Sequence, residues 1–305
     1  MAENPQAFIN PASGSIKVTG SMDIVDADGK VIESIENPKF CGCGLSKSKP
    51  ICDGSHKEYV ALFADQLRSA RELVKATASF APVLKKARDI RENELQSRLS
   101  AGEQLVGVKV GGALDSANRD AQASVMIFGY LTDAMQLTDS LNSANYIYPR
   151  AEAEVVFKTS KEIAGEIELS EVLNYVSHVA AGMEIFDYRY GQAQIYSNDA
   201  IADNAGAAAF AHSEWIPASA EVFADLTTEV LENNQVIESA PLTAIRGNPW
   251  QAIVLLSKVL AESSVKLPAG SIIFSGSATK GVYMAAGKSY VVEIKGLGRV
   301  EIKVS

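Results

Sequence analysis

The sequence predicts an α+β fold in two parts. Three observations carry that reading. Residues 1–59 are rich in Gly, Pro, Ser and Lys and hold only short strand-like runs. Residues 60–101 place apolar side chains at helical spacing. Residues 103–305 then alternate strands with a few segregated helices. A chain of 305 residues is long enough for two domains and for a full apolar core.

In order, Ile16–Val18 and Met22–Val25 read as short strands, with a turn at Asp26–Gly29 and a returning strand at Lys30–Ile32. This small β-rich module has too little apolar content to stand alone, so a metal staple fits it. Leu62, Phe63, Leu67, Ala70, Leu73 and Val74 mark one helical run. Leu84, Ala87, Ile90, Leu95 and Leu99 mark a second, which Gly102 stops. Val106–Val110 and Ala153–Phe157 are strands. Ser170, with Glu171 in the first turn, is expected to cap a helix running to about Ala181. His178 then falls mid-helix, and Glu184 opens the strand Glu184–Tyr188. Asn248 and Pro249 open another helix through about Ala261. The tail is strand and turn: Ile272–Ser275, Tyr290–Ile294, the turn Gly296–Gly298, and Val300–Val304. The expected domains are 1–59 and 60–305, the second with a helical lead-in over 60–101.

The net charge of -9 argues against nucleic acid or an anionic membrane as a partner, since both need a basic face. The first ten residues hold no Lys or Arg and no long apolar run, and no segment is apolar enough to span a bilayer. The expected compartment is the cytoplasm. The 3 cysteines all lie between residues 41 and 52. An odd cluster of thiols in that compartment points to a metal site rather than to disulfides.

Cys41, Cys43, Cys52 and His56 supply three thiolates and one imidazole within one short loop. Gly42 and Gly44 let the backbone curl, Pro50 stiffens the return, and Asp53-Gly54 makes a tight turn. Thiolates select iron–sulfur clusters or zinc. The run from Cys41 to His56 matches C-x-C-x-x-S-x-x-x-P-x-C-D-G-S-H at every position. It resembles the CDGSH, mitoNEET-like iron–sulfur proteins over about residues 14–59. The resemblance implies a [2Fe–2S] cluster, with Cys41 and Cys43 on one iron and Cys52 and His56 on the other. A structural Cys₃His zinc site is the alternative. Lys39, Lys47, Lys49 and Lys57 surround the loop in an otherwise acidic chain, a local charge suited to an acidic electron-transfer partner.

Glu152 and Glu154 lie two apart on a predicted strand, so both carboxylates share one face. With Glu184 they could form an oxygen-only site for Mg²⁺ or Mn²⁺. Alone, such a pair is more often a solvated face. Several ordered segments widen the context: Gly107-Val108-Lys109-Val110-Gly111, Pro149–Phe157, Glu184–Tyr190, Ala202-Asp203-Asn204, Gly247-Asn248-Pro249, Ser275–Thr279 and Gly296-Leu297-Gly298. Together they resemble the fumarylacetoacetate hydrolase superfamily, in its branch of 4-oxalocrotonate decarboxylases and 2-keto-4-pentenoate hydratases. The resemblance implies a mixed β-sheet or barrel catalytic domain and a homo-oligomer. It also implies a divalent metal on Glu152, Glu154 and Glu184, an active-site Lys109, and substrate-binding residues Ser275, Gly276, Ser277 and Asn204.

Leu131-Thr132-Asp133-Ala134-Met135 and Asp187-Tyr188-Arg189-Tyr190 resemble the decarboxylases. Met126-Ile127 stands where the hydratases carry an acid. Gly112-Ala113-Leu114, Asn204-Ala205-Gly206 and the hydratase-like Ser275-Gly276-Ser277 depart from the decarboxylase pattern. The implied function is metal-dependent decarboxylation of a 2-oxo-alkenedioate. Hydration of a 2-oxo-alkenoate and a non-catalytic redox sensor or electron carrier are the alternatives. Ser275 lacks a nucleophile-elbow pattern. His178, His212, Trp215 and Trp250 read as structural.

Imidazole can take a proton near neutral pH, whereas an all-cysteine ligand set offers only thiolates, so a cluster held by one histidine is the more acid-labile. The visible absorbance of the purified protein is therefore expected to bleach at higher pH than that of its His56→Cys variant. Bleaching of both at one pH would rule out His56 as the labile ligand.

Overall fold

The computed structural model describes residues 6–9, 16–25, 28–40, 46–48, 51–53, 80–114, 124–191, 195–263 and 265–305. The chain divides into two compact units, 1–72 and 73–305. In the first, β1 (Gln6–Ile9), β2 (Ile16–Thr19) and β5 (Lys39–Phe40) form one sheet. β3 (Ser21–Val25) and β4 (Val31–Glu36) form the predicted hairpin. Of its described apolar side chains, Val18 is buried, whereas Phe8, Val25, Val31 and Ile32 are exposed.

The second unit opens with α1 (Phe80–Ser100), the described part of the helical lead-in. The first run, Leu62 to Val74, lies outside the described residues. Gly102, at φ +99, ends the helix where a side chain would be strained. No described helix is long and apolar enough to cross a membrane.

One sheet follows the order β11-β10-β9-β15-β6-β7. Its strands are β6 (Leu105–Leu114), β7 (Ser124–Thr132), β9 (Arg150–Thr159), β10 (Val176–Phe186), β11 (Ala207–His212) and β15 (Ile272–Phe274). β12 (Ile216–Pro217) pairs with β10, and β16 (Val282–Tyr283) with β9. β15 runs parallel to β6 and antiparallel to β9, so the sheet is mixed. A second sheet has the order β14-β13-β17-β18-β8, from β8 (Ser140–Leu141), β13 (Thr227–Glu232), β14 (Gln235–Pro241), β17 (Ser289–Ile294) and β18 (Gly298–Val304).

Strand alternation makes β9 two-faced. Ala151, Ala153, Val155 and Phe157 join the main core with Val230, Tyr290, Val292 and Val300 of the second sheet. Val156 points the other way, into a cluster with Phe210 and Phe274, and Glu152 and Glu154 share its parity. Two further helices cover edges. α2 (Ser197–Ala202) packs with Ile127 of β7 against Leu84, Ala87 and Ile90 of α1. α3 (Gln251–Ser263) buries Ala252, Ile253, Leu256 and Leu260. Trp250, just before α3, stacks against Phe157 and Phe223 with ring centroids 5.3 and 4.9 Å away.

The helix expected from Ser170 to Ala181 is not formed. Leu169–Asn174 make a short 3-10 turn, and Val176 begins the long strand β10. His178 is therefore on a strand, and Glu184 sits near that strand's end rather than opening one. The run Val179–Met183 is unbroken and apolar, a pattern shared by buried strands and buried helices. Gly182 shows why the strand wins. A Cβ there would lie 2.3 Å from Val156 Cγ2 and 2.7 Å from Phe274 Cε1, so the sheet closes around a position that only glycine fills. Gly182→Ala is expected to destabilise the protein by about 1–3 kcal/mol through overpacking. An unchanged denaturation midpoint would show that the contact gives way freely.

Candidate functional site

Strand register brings the predicted carboxylates together. Glu184 of β10 lies directly opposite Glu152 of β9, and Gly182 lies opposite Glu154. Two residues further along β9, Val156 faces Phe274 of β15, which in turn faces Lys109 of β6. All these side chains share one face of the sheet. Oxygens of Glu152, Glu154 and Glu184 lie within 4.8 Å of one another. Glu154 and Glu184 are fully buried.

Like charges directly opposite on paired strands are destabilising, and burial adds to the cost. One internal cation offsets this. Lys109, itself buried, places Nζ 2.8 Å from Glu184 Oε1 and 5.0 Å from the centre of the Phe186 ring. Gly276 N donates to Glu154 Oε2 at 2.8 Å. Glu154 Oε1 and both Glu184 oxygens make no hydrogen bond of ordinary geometry among the described residues. Buried, under-satisfied carboxylate oxygens converging on one point are the donor set of a hard divalent cation, so these residues fit Mg²⁺ or Mn²⁺.

The electrostatics agree. Burial first, then Glu184, pushes the Glu152 carboxyl up to about 7, against the pull of Lys109 and Arg150. Burial and its two neighbours raise Glu154 well above the ordinary range, and burial raises Glu184 despite Lys109. Burial works against the Lys109 ammonium, but Glu184, Glu152, Tyr188 and Glu154 outweigh it, so Lys109 stays protonated.

The site opens into a cavity of about 600 Å³. Its polar lining includes Lys109, Glu152, Arg150, Tyr188 and Arg246, and Val110, Ala113, Ile127, Phe186 and Ile195 supply apolar wall. Ser275, Gly276 and Ser277 also line it. The Ser275 hydroxyl is committed to the sheet: it accepts from Val155 N at 3.1 Å and donates to Gly276 O at 2.8 Å. Ser277 Oγ donates to Thr279 O at 2.8 Å. Asn204 acts one step back. Its amide receives Tyr130 N at 2.7 Å and donates to Tyr130 O at 2.9 Å, which holds Ala205 at the cavity wall.

Sequence reasoning missed Arg150, Phe186 and Arg246 as lining residues. Arg150 was within reach, because it precedes Glu152 by two and so shares its strand face. Its guanidinium stacks 4.3 Å over the Phe186 ring. Arg246 comes from the loop before α3, where no periodicity points.

Of the cysteine and histidine set, Cys52 is described; Cys41, Cys43 and His56 lie outside the described residues. The loop around Cys52 is tied tightly. Cys52 N donates to Lys39 O at 2.7 Å, and Ile51 bridges Phe40, the residue before Cys41. Buried Ser46 donates to Ile51 O at 2.5 Å, and Asp53 Oδ2 accepts from Lys47 N at 2.8 Å. Lys39 and Lys47 are exposed, and Lys49 and Lys57 lie outside the described residues.

Two family models match the chain. The iron-binding zinc finger CDGSH type covers residues 13–57. The fumarylacetoacetate hydrolase C-terminal model covers residues 142–305. A 4-oxalocrotonate decarboxylase of Pseudomonas sp is 28% identical over 239 residues, 78% of this chain and 93% of that one. The 2-hydroxyhexa-2,4-dienoate hydratase of Comamonas testosteroni is 31% identical over 249 residues, again 78% of this chain and 93% of that one. Among solved structures, the 4-oxalocrotonate decarboxylase of Pseudomonas putida G7 complexed with magnesium and adipate aligns with a TM-score of 0.67 at 26% identity. It covers 82% of this chain and 98% of its own.

A cation binds the ionised carboxylates, so protons compete with it. With Glu152 near 7 in the metal-free site, Mn²⁺ affinity measured by calorimetry is expected to weaken as pH falls from 8 to 6, by up to about tenfold per unit for one displaced proton. The sign for stability is opposite in the metal-free protein. A carboxyl raised in the folded state contributes stability below its unfolded pKa, and that stability is lost as pH rises through about 7. An affinity flat between pH 6 and 8 would contradict both.

Proposed function

The chain belongs to the fumarylacetoacetate hydrolase family and carries a CDGSH-type iron-binding domain at its N-terminus; from that premise we propose that it decarboxylates a 2-oxo-alkenedioate with the help of a divalent metal. It is a lyase, as its decarboxylase and hydratase relatives are. The observation that carries the reading is the convergence of Glu152, at the cavity wall, with the buried Glu154 and Glu184, and with Lys109 held against Glu184.

The chemistry follows from the residues. A divalent cation held by the trio supplies Lewis acidity at the 2-oxo oxygen of the substrate when bound. In a 2-oxo-3-alkenedioate the distal carboxyl is a vinylogous β-keto acid. Its C–C bond breaks, CO₂ leaves, and the electron pair passes through the alkene onto the 2-oxo oxygen. Lys109, kept as its ammonium by Glu184, stands ready to give its Nζ proton to that dienolate. Apolar Val110, Ala113, Ile127 and Phe186 help to keep bulk water from the developing charge.

Hydration requires a group to activate or deliver water. Ile127 occupies the cavity wall in the segment where the hydratases carry an acid, and among the described residues Glu152 is the one acidic residue lining the cavity. This favours decarboxylation over hydration. The N-terminal module, with Cys41, Cys43, Cys52 and His56 as ligands, would hold a [2Fe–2S] cluster serving electron transfer or regulation.

Glu152→Gln with Glu154→Gln should abolish Mn²⁺ binding and decarboxylation together. Lys109→Met should keep the metal and lose about 10²–10⁴ in kcat. The measurement is CO₂ release from 2-oxo-3-hexenedioate with Mg²⁺, beside hydration of 2-hydroxypenta-2,4-dienoate. Undiminished decarboxylation in the double variant would falsify the metal role. Hydration without CO₂ release would assign the chain to the hydratases.

A further inference from the structure

Arg246 has three properties that the mechanism above leaves unused. It lines the cavity and is exposed, which puts it at the rim, whereas Glu154, Glu184 and Lys109 are buried. Among the described residues it has no ion-pair partner, unlike Arg189, which is held by Glu94 and Asp203, and Arg299, which is held by Glu293 and Glu301. Its backbone is left-handed, at φ +53, followed by Gly247 at φ +80. An arginine gains nothing locally from that conformation, which glycine or asparagine adopts more readily. Backbone strain of this kind persists where the surroundings enforce it and is concentrated at functional positions.

Charge counting points the same way. Among the described residues around the cavity, the three carboxylates of the trio are matched by three cationic side chains, Lys109, Arg150 and Arg246. A divalent cation at the trio therefore leaves two positive charges in excess. A 2-oxo acid with one carboxylate neutralises half of that excess, and a dianion neutralises it all. Val110, Ala113, Ile127, Phe186 and Ile195 give the same cavity apolar wall, suited to the hydrocarbon chain of such a molecule with polar groups at its ends.

We propose that Arg246 binds the second carboxylate of the substrate at the cavity rim and thereby selects dicarboxylates over monocarboxylates. This rests on the reading of the cavity as the site of a metal-dependent 2-oxo acid lyase. Guanidinium is suited to the role because its fork pairs with both carboxylate oxygens. Arg246 is a specificity residue rather than a source of acceleration. A carboxylate that departs as CO₂ sheds its charge in the transition state, so contact with it strengthens binding without favouring the transition state.

The test uses 2-oxoadipate and 2-oxohexanoate, saturated 2-oxo acids that differ by a distal carboxylate in place of a methyl. Binding to the full chain with Mg²⁺ is read by calorimetry. The wild type is expected to bind 2-oxoadipate about tenfold or more tightly, the scale of one charge-assisted contact. Arg246→Leu should erase that preference by weakening 2-oxoadipate alone, and unchanged 2-oxohexanoate binding shows that the variant is folded. Should Arg246→Leu lose both ligands, Arg246→Lys decides: a reduced preference supports the subsite and no preference overturns it. With 2-oxo-3-hexenedioate, Arg246→Leu should raise KM without lowering kcat. A wild type that binds both acids equally overturns the subsite while leaving the lyase reading intact. A wild type that binds neither overturns the lyase reading and the subsite with it.

Discussion

The structure of the catalytic unit is organised around one unfavourable juxtaposition. Glu152 and Glu184 face each other across two paired strands, with Glu154 beside them, and both Glu154 and Glu184 are buried. Repulsion and desolvation both oppose this arrangement. A fold selected for stability alone would place apolar residues at these positions, as it does at Val156 and Ala180 on the same strands. The surrounding parts compensate for the choice. Lys109 supplies one fixed positive charge, Gly276 donates one backbone hydrogen, and the remaining oxygens are left for a cation.

The strand β9 solves a geometric problem with the simplest periodicity available. Its odd-numbered residues, from Ala151 to Phe157, close the core against the second sheet. Its even-numbered residues, Arg150, Glu152 and Glu154, present charge to the cavity. The chemistry is thus carried by a strand that cannot slip. A shift of one residue would bury Glu152 and Glu154 among Val230, Tyr290 and Val292. Rigid placement of this kind is what a site needs if its groups are to meet a substrate without reorganising. The N-terminal unit is built on the opposite plan. Its described core amounts to Val18 and Ser46, and its loop is held by backbone and hydroxyl hydrogen bonds around Cys52. A ligand-bound metal centre contributes folding free energy directly in such a unit.

Much of this was legible from the chain. The spacing of Glu152 and Glu154 placed both on one strand face, and the Cys–His run pointed to the iron-binding CDGSH type that matches residues 13–57. What could not be read has physical causes. Val179–Met183 is an unbroken apolar run, so periodicity does not separate a buried strand from a buried helix. The deciding fact is the tight fit of Gly182 against Val156 and Phe274, residues far away in sequence. Ser275 and Asn204 were read as substrate contacts, yet their polar atoms hold Val155 and Tyr130 in place. A hydroxyl or amide needed by the backbone looks the same in sequence as one aimed at a ligand. Arg246 was invisible because its position depends on a left-handed loop residue, a conformation that sequence does not signal at an arginine.

The distribution of ionisable groups also constrains which reaction the cavity can host. Among the described residues the cavity is lined by the Lys109 ammonium and by positive charge at Arg150 and Arg246, while its one acidic lining residue, Glu152, belongs to the carboxylate trio. Water addition needs a base or acid that works on water and a face of the alkene open to it. Loss of CO₂ needs neither. It needs an electron sink at one end of a conjugated chain, a proton for the resulting dienolate, and walls that keep solvent from the charge in transit. In the proposed reaction Lys109 would supply the proton, and Val110, Ile127 and Phe186 line the walls. Ile127 matters most to the choice. It sets an apolar side chain on the β7 wall, a surface that suits the proposed loss of CO₂ better than the activation of water.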